Sequence, residues 1–450
     1  MIGLKKEFAS TSLESWIDQL KKDLKGVEFD KLLRKDALED IEYSTFHHAE
    51  SSKIESQSPG YFPFTRGLKT KSNEWNNGFK INVTSAETAN AKSLDVLMKG
   101  CDLLVFDFNN SSFNWGILFK GIQFKHIKAQ FTLRTKEQYL GLKEYFSDES
   151  PENIYFSFDY FHYSENVELF EILAEDFKSK QSPFLHIDGY SINQNGATTS
   201  QEIAFCISTA HEYIVQLMKK GYSIDQATAC IHFSIGIGSN YFYEIAKIRA
   251  LKQVWASVVK EYKPIHSCSY NCVITAQTGF INKSLADPYS NLLRQTTEAM
   301  SAISGGIESL VIQAYDAISE KGASILAERM ALNISLILKE ESYFDKVIDP
   351  LGGSYAIEDL TQKIAEKSWN FFQKIEGNGG IFNPNAKAIL KNNISEKAAL
   401  RLAQISSNEK ILIGINKFQN PNPEKNHFVG TENYLGMSNL IFERELTVDK

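Results

Sequence analysis

Several functions are excluded by what the sequence lacks. No run approaches the ~20 consecutive apolar residues that a bilayer-spanning helix needs, and the longest apolar stretches, such as Leu103 to Phe106, are strand-sized. Met1 to Phe8 carries two lysines but no apolar h-region, so no signal peptide is expected. Cysteines are few, and Cys101, Cys206, Cys230, Cys268 and Cys272 are odd in number and scattered. That pattern argues against a disulfide framework and for the reduced thiols of a cytoplasmic protein. Cys268 and Cys272 stand four apart in a strand-like run, with no His or Cys pair nearby to complete a zinc site. There is no long basic run, and the formal charge of -7 is spread over interspersed acids and bases. Nothing electrostatic points to nucleic acid. The phosphate loop GxxxxGK[ST], HExxH and GxSxG are all missing. Gly236-Ile237-Gly238 lacks the third glycine of a dinucleotide fingerprint and reads as a tight strand-to-helix turn.

What is present is length and aromatic bulk. A chain of 450 residues with 30 Phe and 19 Tyr can fill one large barrel plus extensions. Ser12 to Leu33 carries apolar positions at Trp16, Leu20, Leu24 and Phe29 with lysines between, which predicts a helix. Asp36 to Gly60 is polar and irregular and predicts extended chain. Residues 1–70 therefore read as an arm that cannot bury its own apolar side chains and needs the barrel or a partner chain to lie on.

After the arm, strand-like runs alternate with helical patterns. The expected strands are Phe79–Thr84, Leu103–Phe108, Lys128–Leu133, Ile154–Tyr160, Phe184–Gly189, Cys230–Ile235, His266–Ile274 and Ser309–Ala314. Thr135 with Gln138 reads as a capping box. Asp287-Pro288 reads as an N-cap with proline at the first helical position. Phe242, Ile245, Ile248, Leu251, Trp255 and Val258 form one apolar stripe. Eight strand–helix repeats predict an α/β fold, a (β/α)₈ TIM barrel over 71–345, with an open doubly wound sheet as the rival. Residues 346–450 predict a C-terminal helical extension and tail. Its helices lie over Leu360 to Ile375, stopping at Gly377–Gly380, and Ala386 to Ser407, with a short strand at Ile411–Ile415.

Active sites of such barrels lie at the C-terminal strand ends. Those ends offer few acid–base groups. His162 is the one strand-end histidine, and it lacks an evident orienting partner. Asp316 lies near a helix start, where Asp serves as a cap.

Several segments are similar to the methylmalonyl-CoA mutase family. Pro63-Phe64-Thr65-Arg66-Gly67 resembles its P-[FY]-x-R-G. Asp188-Gly189-Tyr190 with Asn195-Gly196-Ala197-Thr198 resembles its G-Y-H-x-x-x-x-G-[AS]-T. Asn240 to Trp255, with Glu244-Ile245-Ala246-Lys247 and Arg249-Ala250, resembles its E-I-A-K-x-R-A helix. Gln277-Thr278 with Asp287-Pro288-Tyr289, the run Arg329 to Ser342, and Asp349-Pro350-Leu351-Gly352-Gly353-Ser354-Tyr355 resemble further signatures. The resemblance implies a radical rearrangement of methylmalonyl-CoA and succinyl-CoA, with adenosylcobalamin supplying the radical.

Two departures set the expected role. Where catalytic members have His after Gly-Tyr, this chain has Ser191, and the tyrosine expected after the R-G segment is replaced by the run Leu68 to Ser72. Gln277 is the other site position that remains, so both Ser191 and Gln277 count as degenerate, with no catalytic, cofactor or metal ligand assigned. Arg66, Gly67, Gly189, Tyr190, Asp287, Pro288, Asp349, Gly352 and Gly353 are expected to act structurally. The D-x-H-x-x-G of a flavodoxin-like cobalamin domain is absent, and only 33 residues follow Lys417. The resemblance is to the small subunit of the family's heterodimeric form, with the cofactor expected on a large catalytic partner. Two alternatives stand beside it: a substrate barrel working with a separate cobalamin-binding chain, and a relic barrel that holds acyl-CoA.

Overall fold

A computed structural model describes residues 11–25, 33–51, 57–146, 153–180, 182–423, 427–429 and 433–444. The N-terminal part holds helix α1 (Leu13–Asp23) and a hairpin of β1 (Leu33–Asp36) and β2 (Ile41–Ser44). Then β3 (Asn76–Asn82), α2 (Ala86–Leu97), β4 (Leu103–Asp107), α3 (Trp115–Leu118), β5 (Lys128–Leu133), α4 (Lys136–Phe146), β6 (Ile154–Phe158), α5 (Val167–Asp176) and β7 (Leu185–Asp188) follow in order. They continue through α6 (Gly189–Gln194), α7 (Thr199–Lys219), α8 (Ile224–Ala229), β8 (Ile231–Ile237), α9 (Tyr241–Glu261), β9 (Ile274–Thr278), α10 (Pro288–Gly305), β10 (Ser309–Val311) and α11 (Ile325–Glu340). Two long helices, α12 (Tyr355–Gly377) and α13 (Pro384–Ser406), precede a tail with the short strands β11 (Asn433–Tyr434) and β12 (Met437–Ser438).

Strands β3 to β10 are parallel and close into a barrel, with β10 bonded to both β9 and β3. The predicted (β/α)₈ architecture is therefore present. Strand alternation sorts the side chains. Leu104, Phe106, Phe131, Phe156, Phe158, Ile187, Phe233 and Ile235 join the large outer core with the helices. Leu103, Val105 and Val311 form a separate small cluster inside, with Tyr155 against it. Helix α12 packs across α7 and α9, so the C-terminal extension shields the barrel wall.

Local signals account for most boundaries. Thr135 and Gln138 exchange the two bonds of a capping box. Along α9, Ile245, Ile248, Leu251, Trp255 and Val258 are buried; Phe242, in the first turn, is 56% exposed and leaves the stripe.

Four expectations change. The run His266–Ile274 is not a strand: Ser267–Tyr270 form a 3-10 turn, because Asp225 accepts from the backbone of Ile265 and His266 and from the Ser269 hydroxyl. Cys268 is exposed and Cys272 buried, both as free thiols. The strand begins at Ile274, so Gln277 and Thr278 lie inside it rather than beyond it. Ile411–Ile415 forms a turn, with one bridge between Ile413 and Lys417. The Asn416 side chain closes that turn onto Leu412, Lys410 and Ile405.

Helix α1 ends at Asp23, and Phe29 lies outside the described residues. The stretch after Asp36, expected as irregular, holds a hairpin: Asp36 accepts from Leu38 N and Glu39 N at 2.9 Å each and turns the chain. Its strands, Leu-Arg-Lys-Asp and Ile-Glu-Tyr-Ser, are too short and charged to show alternation. The hairpin docks by burying Leu38 and Ile41, and its Glu39 carboxylate accepts from Thr199 N and from Ser200 N and Oγ at the start of α7.

Candidate functional site

The strand ends of β6 to β9 form the mouth. Strand β7 ends at Asp188, which caps α6: one oxygen accepts Ser191 N at 3.0 Å, the other Ser191 Oγ at 2.6 Å. Ser234 Oγ also reaches Asp188, at 3.2 Å, and His186 at 2.8 Å. The Ser191 hydroxyl is thus spent on its own helix cap. Gly189 is required by space, since a Cβ there would stand 2.6 Å from Cys206 Sγ and 2.7 Å from Ser234 O. Gly236 and Gly279 likewise leave room for Asn193 and Gln194, so α6 lies over the ends of β8 and β9.

Beside it sits Asp159, one residue beyond β6 and 7% exposed. Its carboxylate accepts from His162 N at 3.1 Å and from the hydroxyls of Tyr434 at 2.7 Å and Tyr213 at 3.5 Å. Burial and the neighbouring Asp188 push its pKa up to about 7. His162 stacks on Tyr434 at 4.7 Å between centroids, and burial lowers its pKa. It is therefore part of the packing under the tail. Asp316 accepts Ser324 N with both oxygens at 3.2 Å, tying down the start of α11.

Inside the barrel, Asp107 pairs with Lys80 at 3.1 Å and Arg134 at 2.6 Å. Burial opposes its charge, but the two cations hold its carboxyl below the ordinary value. The rings of His186 and His232 stack at 4.9 Å. Neither ring nitrogen of His232 meets a protein partner, and burial with His186 alongside keeps it neutral. A cleft of about 500 Å³ lies between the outer half of β3 and the end of β10. Tyr190, Gln277, Asn82, Gln313 and Asn439 contribute to its lining.

The other motif residues form joints in the wall. Arg66 pairs with Asp349 at 3.0 Å, and Arg249 bridges Asp349 and Glu358, the latter at 2.6 Å. A side chain at Gly352 would collide with the Arg66 guanidinium, and Gly353, at φ 86°, turns its N–H to Glu358 at 2.8 Å. Gly67, at φ 71°, lies against the Lys252 ammonium. Lys247 sits between Glu202 at 3.0 Å and Glu244 at 2.5 Å, all three buried. Burial pushes the Glu202 carboxyl up to about 7 against the pull of Lys247. Asp287 stands at the N-cap of α10 with Pro288 after it. Its side chain makes no bond to the helix backbone; it accepts from the Ser290 hydroxyl and packs on Gly414.

Sequence reasoning missed Asp159, the stacked histidines and Tyr434. Strand alternation carried a signal for the first two, since each faces inward; Tyr434, in a turn-rich tail, had none.

Residues 161–435 match the family model described as methylmalonyl-CoA mutase. The small subunit of methylmalonyl-CoA mutase from Porphyromonas gingivalis is 30% identical over 440 residues, covering 92% of this chain and 71% of that protein. The methylmalonyl-CoA mutase of Rhizobium meliloti is 34% identical over 252 residues, 55% of this chain. The mitochondrial human enzyme is 34% identical over 255 residues, 56% of this chain. The chain spans 35% and 34% of the lengths of those two mutases. With the barrel, the joined motifs and these matches in place, the chain belongs to the methylmalonyl-CoA mutase family.

Proposed function

We propose that the chain is the non-catalytic small subunit of a heterodimeric, adenosylcobalamin-dependent methylmalonyl-CoA mutase, a cytoplasmic protein that stabilises a large catalytic partner. One observation carries the reading: the Ser191 hydroxyl is bound to Asp188, and residues 433–443 cover the strand ends above it. The Ser191 hydroxyl is not free to serve a thioester carbonyl, and the tail takes up the side of the mouth where Asp159 and His162 lie. Under this reading these residues do not hold cobalamin, and its chemistry belongs to the partner. Under the same reading residues 1–70 reach the partner, 71–345 are the barrel and 346–450 brace it. The half-exposed stripe Leu13, Trp16, Ile17 and Leu20 of α1, none of it buried, supports the first of these.

The test is mutase turnover with adenosylcobalamin for the chain alone, the large subunit alone and both together. The expected result is no turnover from this chain and a more stable, more soluble large subunit in its presence. Turnover by this chain with an isolated cobalamin-binding domain would sink the proposal. A second reading rests on the 500 Å³ cleft beside Gln277, which leaves space for part of an acyl-CoA. Calorimetry with succinyl-CoA on the lone chain tests it, and saturable binding is the outcome it requires.

A further inference from the structure

The tail lies across the mouth, and its two halves are held differently. Leu440 N donates to Gln194 O at 2.7 Å and Phe442 N to Ile281 O at 3.0 Å, while the Asn195 amide donates to Tyr434 O at 3.1 Å. Tyr434 supplies the deep contact. It is 5% exposed, its ring lies on His162, and its hydroxyl reaches Asp159. Leu440 and Phe442 pack with Ile405, Leu412 and Ile415 rather than with the barrel's main core. Glu443 adds an anchor, accepting from Leu285 N at 2.6 Å and Ala286 N at 3.1 Å, and residues 439–443 are buried throughout. Residues 433–438 are held more lightly: Tyr434 is the one buried side chain among them, and Gly436 O accepts from Lys391 at 3.2 Å.

We propose that residues 433–438 form a releasable strap over the mouth, hinged on the buried run 439–443 and latched where Tyr434 bonds Asp159, and that the latch loosens as Asp159 ionises.

With the strap down, Asp159 is enclosed beside Asp188, Tyr213 and Tyr434, and its carboxyl titrates at about 7. With the strap lifted, water reaches the carboxyl and its pKa falls toward the ordinary 3.8. Closure therefore takes up a proton. Its stabilisation is fully present below about 4, is lost as pH rises toward about 7, and is level above that. His162 acts oppositely. Burial lowers its pKa from 6.5, so its protonation opposes closure at acid pH, with Asp188 and Glu165 partly offsetting that effect. Tyr163 and Tyr213 also face the group, and burial holds both neutral throughout this range.

The experiment follows backbone hydrogen exchange of peptides spanning 433–438 in the intact chain, corrected for intrinsic rates, with α12 peptides as reference. In a His162→Phe chain, which keeps an aromatic partner for Tyr434 and removes the second titration, strap opening should rise on the order of tenfold or more from pH 5 to pH 7. It should then level off. Adding Asp159→Asn should flatten the dependence. Equal exchange at pH 5 and 7, or a dependence that survives Asp159→Asn, overturns the proposal. Tyr434→Phe gives an independent check: at pH 7 it should speed strap exchange several-fold while α12 is unchanged. No change in the strap overturns the latch.

Discussion

In the wall behind α9, Arg249 holds Asp349 and Glu358, and Lys247 holds Glu202 and Glu244, all buried. At the mouth above β7, Ser191 and Asp188 bond each other, and a segment of the chain's own tail covers the neighbouring Asp159. The two regions lie within one barrel and carry motifs of one family. The wall has kept charges that only a folded network can satisfy. The mouth has turned its polar groups inward on one another. Buried ion pairs tolerate no loss of a partner, because an orphaned charge costs more than the pair ever gained. Under the proposed non-catalytic role the mouth has no such constraint.

That contrast can be tested by its asymmetry. Arg249→Ala should be the most damaging, leaving the buried Glu358 without its cation and Asp349 with Arg66 alone. A loss of about 3–5 kcal/mol in urea unfolding is expected. A loss below about 1 kcal/mol would place the wall on the same footing as the mouth. Gly189→Ala comes next, at about 1–3 kcal/mol, because the methyl meets Cys206 Sγ and the Ser234 carbonyl. Tyr434→Phe should cost about 1 kcal/mol, read from the thermal midpoint of the chain. Ser191→Ala should be the mildest, at about 0.5–1 kcal/mol, since Asp188 still accepts Ser191 N. Under the proposed role, Ser191→His should bring no mutase turnover to the chain, assayed with adenosylcobalamin, because one restored donor leaves the tail in place over the neighbouring Asp159.

The barrel was legible because its strands alternate and its helices carry apolar stripes; Lys128–Leu133 matches the expected strand residue for residue. The β9 boundary was not, because Asp225, some forty residues upstream, pins Ser267–Tyr270 as a turn. The β1–β2 hairpin escaped notice for a related reason. Its strands are polar, and docking against α7 and α12, not composition, holds them. At the mouth, the loss of a histidine at position 191 was visible in the sequence. The strap was not, since Tyr434 finds Asp159 across 275 residues and nothing local marks that pairing. Motif residues such as Arg66 and Asp349 could be named from the sequence as structural. Their meeting in one ion-pair cluster required the fold.

The distance in sequence between Asp159 and Tyr434 has a consequence during synthesis. The last barrel strand ends at Val311, so 434 − 311 = 123 further residues must be made before Tyr434 exists. At about 5–20 residues per second that is roughly 6–25 s. Through that interval the barrel strands lack the ring and hydroxyl that cover His162 and Asp159, and the chain can plug its own mouth only once Tyr434 has been made.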